Sequence, residues 1–234
     1  MKRIAIMQPY FFPYIGYFQL MNAVDEFVVY DNIEFSKKGW INRNRILVNG
    51  SDAFFTLPLK KDSDYLNVVD RSLADVWPQE RKKMLKRIIE SYRKAPNFKD
   101  VIPLIEECFL FEDSNLFRFI FHSMQKIKAY LKIQAELTIS SSIPINHNLK
   151  GEEKVISICI AMNATTYINP IGGVDLYKTD HFQLNGVQLH FLKANPITYN
   201  QFGEAFIPWL SLIDVMMFNS KEEIGHMLKE YSII

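Results

Sequence analysis

Residues 7 to 20 read Met-Gln-Pro-Tyr-Phe-Phe-Pro-Tyr-Ile-Gly-Tyr-Phe-Gln-Leu. Gln8, Tyr10, Tyr14 and Tyr17 place amide and phenol groups in a segment otherwise apolar enough for a core. Phenols donate hydrogen bonds and stay neutral near pH 7, which suits phosphate or oxyanion binding. The apolar run Ile4-Ala5-Ile6 precedes the segment and a helical pattern follows it. The spacing predicts a strand from Arg3 to Met7, a tight turn and a helix from about Tyr14 to Val24. In open α/β folds, ligands sit beyond the carboxyl end of such a strand, where the next helix directs its free N–H groups. A plainer reading is an aromatic plug under the sheet, since aromatic side chains bury well without any function.

The densest basic cluster is Lys37-Lys38-Gly39-Trp40 with Asn42-Arg43-Asn44-Arg45. In an extended segment Arg43 and Arg45 share a face, so their two guanidinium forks suit one pyrophosphate, and Trp40 suits stacking on a base or sugar. The alternative is a solvated hairpin edge whose charges block further strand pairing. A third group is Asn169-Pro170-Ile171-Gly172-Gly173, ending a strand, with Asp175 and Tyr177 in reach of a sugar hydroxyl. Its glycines permit positive φ and close approach of backbone to ligand, or simply a turn. Asp31 closes the second strand and is a candidate base. His190, near a strand end, is the histidine best suited to accept a proton. The five histidines and two cysteines show no metal-ligand spacing, and no standard cofactor motif is present.

The 234 residues carry a net charge of +1 and are 48% hydrophobic and 14% aromatic. That balance supports a packed core and selects neither nucleic acid nor membrane. Cys108 and Cys159 lie in apolar helical patterns and read as buried free thiols. The first apolar stretch ends at Gln8-Pro9, and no run spans a bilayer, so a soluble cytoplasmic protein is expected. Strand signals recur at Glu26 to Tyr30, at Asn44 to Asn49 and Ala53 to Pro58 around a Gly50-Ser51-Asp52 turn, at Leu137 to Ser140, Thr165 to Asn169 and Val187 to Leu192. Helices are expected at Gly151 to Asn163, Trp209 to Phe218 and Lys221 to Tyr231. Between Pro78 and Lys132 the pattern is wholly helical, with Pro103 a kink or restart. The sum is one α/β domain over residues 1–234 with a mainly parallel sheet. Residues 78–132 form a helical insertion or lid.

The first segment resembles the WbqC-like family of bacterial proteins, found beside surface-polysaccharide and O-antigen genes. Three further stretches carry the same resemblance: Trp40-Ile41-Asn42-Arg43-Asn44-Arg45-Ile46 leading to Thr56-Leu57-Pro58; Tyr167 to Gly173 ending at Leu176-Tyr177; and Pro208-Trp209-Leu210-Ser211-Leu212-Ile213-Asp214. The resemblance implies a transferase that adds an acyl or aminoacyl group to a nucleotide-linked amino sugar. Such an enzyme would use an activated acyl or aminoacyl donor. Tyr14-Ile15-Gly16-Tyr17 also stands where nucleotidyltransferases and class I synthetases carry His-x-Gly-His. Ile139-Ser140-Ser141-Ser142 is faintly similar to their second signature. That second resemblance implies a related core, with Gly16 allowing close approach of a base or ribose. On the transferase reading, and from the residues themselves, Tyr14, Tyr17, Asp31 and His190 form the catalytic set. Gln8, Tyr10, Gly16, Trp40, Arg43, Asn44, Arg45, Asn169, Gly172, Gly173, Asp175 and Tyr177 bind substrate. The alternatives are an adenylyltransferase-like activating enzyme and a noncatalytic partner of glycan enzymes.

Overall fold

The computed structural model describes residues 1–203 and 205–234. Its centre is an open sheet of six strands: β1 (Arg3–Met7), β2 (Glu26–Val29), β5 (Glu136–Ile139), β6 (Thr166–Pro170), β7 (Gln188–Ala194) and β8 (Tyr231–Ile233). The order is β5-β2-β1-β6-β7-β8, parallel except for the antiparallel edge strand β8. The chain winds outward from β1 to β2 and β5, then returns to the other side of β1 for β6 and β7. The topological switch point therefore lies between β1 and β6, where an open sheet leaves a crevice.

Alternation along the strands divides the core. Ala5, Phe27 and Val29 face one layer, whereas Ile4, Ile6 and Val28 face the other. The first layer contains α1 (Ile15–Ala23), the three helices α2 (Trp77–Tyr92), α3 (Phe98–Leu110) and α4 (Leu116–Tyr130), and the closing helices α7 (Leu212–Phe218) and α8 (Lys221–Met227). The second contains α5 (Gly151–Ala161) and α6 (Thr179–Leu184). Cys108 and Cys159 are buried in different layers, and burial pushes both thiols up to about 12. None of the described helices is long and apolar enough to cross a membrane.

Several expected boundaries move. The hairpin of β3 (Arg43–Val48) and β4 (Ser51–Thr56) turns on Asn49-Gly50, and Ser51 and Asp52 are already paired with Val48 and Leu47. Both turn residues have positive φ, 51° and 78°, which gives the two-residue turn that matches strand twist. Helix α3 runs through Pro103, whose ring lies on the exposed side. The last helical pattern breaks earlier than its spacing predicts, and Tyr231–Ile233 instead form β8 against β7. Nor does Trp209 begin a helix. Ser211 caps α7, its hydroxyl accepting from the Ile213 N–H at 3.2 Å.

The helical block is not detached from the sheet. Buried Ile88, Tyr92, Ile105, Phe109 and Phe119 belong to the same apolar cluster as Phe11, Phe18 and Phe27. Its basic first helix turns much of its charge to solvent: Lys83 pairs with Glu80 and Lys86 with Glu90. Arg87 donates to the Phe54 carbonyl of β4 at 3.0 Å.

Candidate functional site

The loop leaving β1 at the switch point is held by two distant segments. Asn44 Nδ2 donates to the carbonyls of Phe12 at 2.9 Å and Phe11 at 3.3 Å. Ser211 Oγ donates to the same Phe12 carbonyl at 2.7 Å, and the Leu212 N–H to the Pro13 carbonyl at 2.9 Å. The Ser211 N–H in turn donates to the Arg45 carbonyl at 2.8 Å. Three of the four signature stretches are thus tied together by hydrogen bonds that are largely buried. Phe12 needs that support, because its φ of 43° costs about 1–2 kcal/mol for an L-residue. Burial of its ring contributes about 1.5–3 kcal/mol, so the strain is offset locally.

Around this tie lies a cleft of about 170 Å³ lined by Tyr10, Pro13, Tyr14, Trp40, Asn44, Arg45 and Trp209. A second hollow of about 150 Å³ shares Tyr14 and Trp209 with it and continues over Gln19, Tyr199, Phe206 and Val215. Trp209 has φ 61° and is 57% exposed. Unlike Phe12, it gains little burial against its strain, and a bulky residue in this region is a genuine outlier. Its indole meets the Tyr14 ring edge-on at 5.9 Å between centroids. Trp40, also in the lining, stacks on Phe54 at 6.1 Å. The Arg45 guanidinium lies 5.7 Å from the Trp40 ring, donates to Asp52 Oδ2 at 3.0 Å and reaches the Trp209 carbonyl at 3.3 Å. Burial raises the pKa of Tyr14 and of Tyr10, so both phenols remain hydrogen-bond donors at neutral pH. The arrangement offers flat aromatic faces, neutral donors and one guanidinium, which suits a sugar or base carrying a polar substituent.

The expected site residues divide between this cleft and other places. Tyr10, Tyr14, Trp40, Asn44 and Arg45 converge here, Asn44 as the support of the loop. Gly16 acts through Tyr14: a Cβ at position 16 would lie 2.3–2.6 Å from that ring, so the glycine lets the phenol fold over the start of α1. Gln8 is half-buried at the end of β1 and stands outside the lining; its carbonyl accepts from Tyr17 Oη at 2.9 Å. Tyr17 is a correction, because its ring is in the core against Phe18 and Phe27 and its hydroxyl is within 4.0 Å of Met124 Sδ. Such a group has no route to substrate. His190 is another: β7 continues to Ala194, so His190 sits mid-strand opposite Ile168, about 13 Å before the carboxyl end.

Asp31 lies two residues beyond β2, and its carboxylate is buried and already accepts from Ser140 Oγ at 2.7 Å, Ser141 Oγ at 2.6 Å and the Ser141 N–H at 2.9 Å. It ties β2 to the turn after β5. The shared grip of Arg43 and Arg45 on one pyrophosphate is not formed either. Arg43 Nε and Nη2 donate to the Gly39 and Lys38 carbonyls at 3.0 and 2.7 Å, and its side chain faces a different cleft from Arg45.

The Asn169 group lies on the α5 side of the sheet. Tyr167 Oη donates to Asn169 Oδ1 at 3.0 Å, and the Tyr177 ring stands edge-on to Tyr167 at 5.8 Å. Gly172 and Gly173 lie in a short 3₁₀ segment, Ile171–Leu176, and neither has positive φ. Gly173 serves close approach instead, since a Cβ there would meet the Asn169 amide. Gly172 faces open space and Asp175 is exposed. Lys154 is buried on the same side, 4.9 Å from the Tyr30 ring, and desolvation lowers its pKa. No group of three or more acidic, histidine or cysteine side chains fit to hold a metal occurs among the described residues.

Sequence reasoning did not assign Trp209 or Tyr199 to a site. The usable signal was Pro208 before Trp209, with Ser211 and Asp214 three residues apart as a helix start. That pattern puts the tryptophan outside the helix.

The fold and cleft define an α/β protein with a mostly parallel six-stranded sheet and an aromatic-lined cleft at the loop that leaves β1. A family model described as the WbqC-like protein family matches residues 8–226, and the chain belongs to that family. The chain is also 25% identical over 233 residues to "Uncharacterized protein Rv1507c" of Mycobacterium tuberculosis (strain ATCC 25618 / H37Rv), covering 98% of each chain. No solved structure matches.

Proposed function

We propose that the protein is a transferase of surface-polysaccharide biosynthesis that attaches an acyl or aminoacyl group to a nucleotide-linked amino sugar. The observation that carries the reading is the strained, exposed Trp209, edge-on to Tyr14, which together with Trp40 lines a cleft built by three signature segments. Aromatic faces suit a sugar ring or base. The neutral Tyr14 and Tyr10 phenols and the Arg45 guanidinium suit a carbonyl oxygen that gains charge as the amine attacks. The amine nitrogen forms the new C–N bond, the donor's leaving group departs with its electron pair, and the nitrogen loses a proton. Among the described residues lining this cleft there is no carboxylate or imidazole. The proton therefore goes to water or to the departing donor. Incubating the protein with an amino-sugar nucleotide and either acyl thioesters or ATP plus amino acids tests the reading. Mass spectrometry should show the acylated sugar nucleotide, and Trp209→Ala should reduce its formation at least about tenfold. No product with any donor class sinks it.

A second reading, an adenylyltransferase-like activating enzyme, draws on the strand order. The nucleotidyltransferase-like core would place β1 and α1 against a nucleotide at the switch point, with Tyr14-Ile15-Gly16-Tyr17 in the histidine motif's place. Burial of Tyr17 weighs against it, since one of the two motif positions cannot reach phosphate. Release of pyrophosphate from magnesium-ATP on adding an acid would favour it.

A further inference from the structure

The cleft that Arg43 lines is larger, about 400 Å³. We propose that it is a binding site for a phosphoryl or diphosphoryl group, with Arg71 as its buried anchor and Lys61 at its mouth. The lining includes the cations Lys37, Arg43, Lys60, Lys61 and Arg71 and the carboxylates Asp62 and Asp64. Lys37 pairs with Asp64 at 2.5 Å, and Lys60 pairs with Asp75 at 2.8 Å. Asp62 accepts from the Ser63 N–H at 2.7 Å. Among the described residues, Arg43, Lys61 and Arg71 form no ion pair. The cleft thus holds an excess of positive charge.

Arg71 is the informative member. It is only 5% exposed; it donates to the Ser63 carbonyl at 2.7 Å and lies 4.6 Å from the Phe35 ring, while Asp64, the nearby carboxylate, is paired directly with Lys37. Its Nε is buried with no hydrogen-bond partner. A guanidinium withdrawn from water with no carboxylate bonded to it is costly, and an orphaned N–H adds to the cost. An anion entering the cleft satisfies both the charge and the planar fork that arginine presents. Lys61 and the remaining Arg43 N–H groups add further donors, which favours a multiply charged phosphate over a single carboxylate. Arg43, which lines this cleft, holds its guanidinium 5.9 Å from the Trp40 ring of the aromatic cleft, so the diphosphate of a nucleotide-linked sugar is the occupant that suits both. That identity of the carrier rests on the function proposed above, whereas the anion site does not.

Calorimetric titration of the full chain with inorganic pyrophosphate tests the proposal. Saturable binding should weaken as salt is raised. Lys61→Gln should lower the affinity at least about fivefold. Arg71→Gln should abolish binding, and Lys99→Gln, on the exposed face of α3, should leave it unchanged. Should Arg71→Gln fail to fold, Lys61→Gln decides alone, since its side chain is exposed. The proposal is overturned by absence of saturable pyrophosphate binding, by affinity unchanged in Lys61→Gln, or by succinate binding as tightly as pyrophosphate. Pyrophosphate binding without any acyl transfer counts against the transferase reading and leaves this site standing.

Discussion

Tyr14 is the residue on which the aromatic cleft turns, and Gly16 is what lets it lie there. Replacing Gly16 by Ala puts a methyl group inside the phenol ring's present position. The side chain can swing outward, because Tyr14 is half-exposed and its hydroxyl is not anchored in the core. We therefore expect Gly16→Ala to keep the fold, with a stability change within about 1 kcal/mol, while the cleft loses one wall. Sugar-nucleotide binding should fall far more than the melting temperature. Equal affinity in the variant would show that Tyr14 does not shape the site. The residue types of the phenol-rich segment marked it as either a cleft wall or a core plug, and they do not tell the two apart. Tyr14 and Tyr17 differ by less than one helical turn, and that difference sends one to the cleft and the other against Phe27.

At the scale of elements, the β1–α1 loop is shaped by segments far away in sequence. Asn44→Ala removes the donor to the Phe11 and Phe12 carbonyls and the acceptor of the Arg45 N–H. The site is buried, so water cannot replace those bonds without rearrangement, and a loss of about 1–3 kcal/mol is expected in chemical denaturation. Asn44→Asp should be no better, since it restores the acceptor and loses the donor. A variant as stable as wild type would mean that Ser211 alone holds the loop. This is also where sequence reading reached its limit. Local signals gave β1, β2, the hairpin and the helical block, because apolar periodicity is a local property. The tie between Asn44 and Ser211 joins residues 167 positions apart and leaves no local trace. Edge strand β8 was hidden for a related reason: three residues after a helix carry too little pattern to reveal a strand.

The buried Asp214 shows how elements from three parts of the chain meet in one network. Its carboxylate accepts from Tyr92 Oη at 2.7 Å, Tyr199 Oη at 2.6 Å and Gln201 Nε2 at 2.7 Å, with no cation alongside. Burial raises its pKa, and the three donors oppose that rise without cancelling it. The folded state therefore holds the proton more tightly than the unfolded chain. Between the ordinary carboxylate value and the raised one, Asp214 adds stability as pH falls, and that contribution is lost as pH rises through the raised value. Asp214→Asn does not titrate, so the gap in melting temperature between wild type and variant should be widest in acid and narrow toward neutral pH. A gap that widens with rising pH would mean the hydrogen bonds outweigh burial. Tyr199→Phe, which leaves the carboxylate one donor short, should cost about 1.5–3 kcal/mol at neutral pH.

For the whole molecule, sequence pattern and packing assign residues 78–132 different roles, a moving cover and a part of the core. The sequence pattern supports a cover, since a helical run interrupts strands that resume afterward. The packing supports a shared core. Phe109 and Phe119 touch Phe11 of the cleft-forming loop, and the Tyr92 hydroxyl bridges Asp214 on α7 and the Leu47 N–H on β3. Opening the block would expose those rings and break a buried network, a cost on the order of the global stability. We expect a single unfolding transition by calorimetry, with amides of α3 and the interior of α4 exchanging as slowly as those of β1 and β2. Saturating sugar nucleotide should then slow exchange mainly in the loop at residues 8–14 and around Trp209. The contrary result is specific: fast exchange across α2 to α4 in the free protein, suppressed on ligand binding, would make the block a closing cover. In that case Arg81, Lys82, Arg87 or Arg93 would become candidates for contact with the anionic ligand. Closure of this kind would have to leave the Phe11–Phe109 contact intact, because the loop that carries Tyr14 is packed on it.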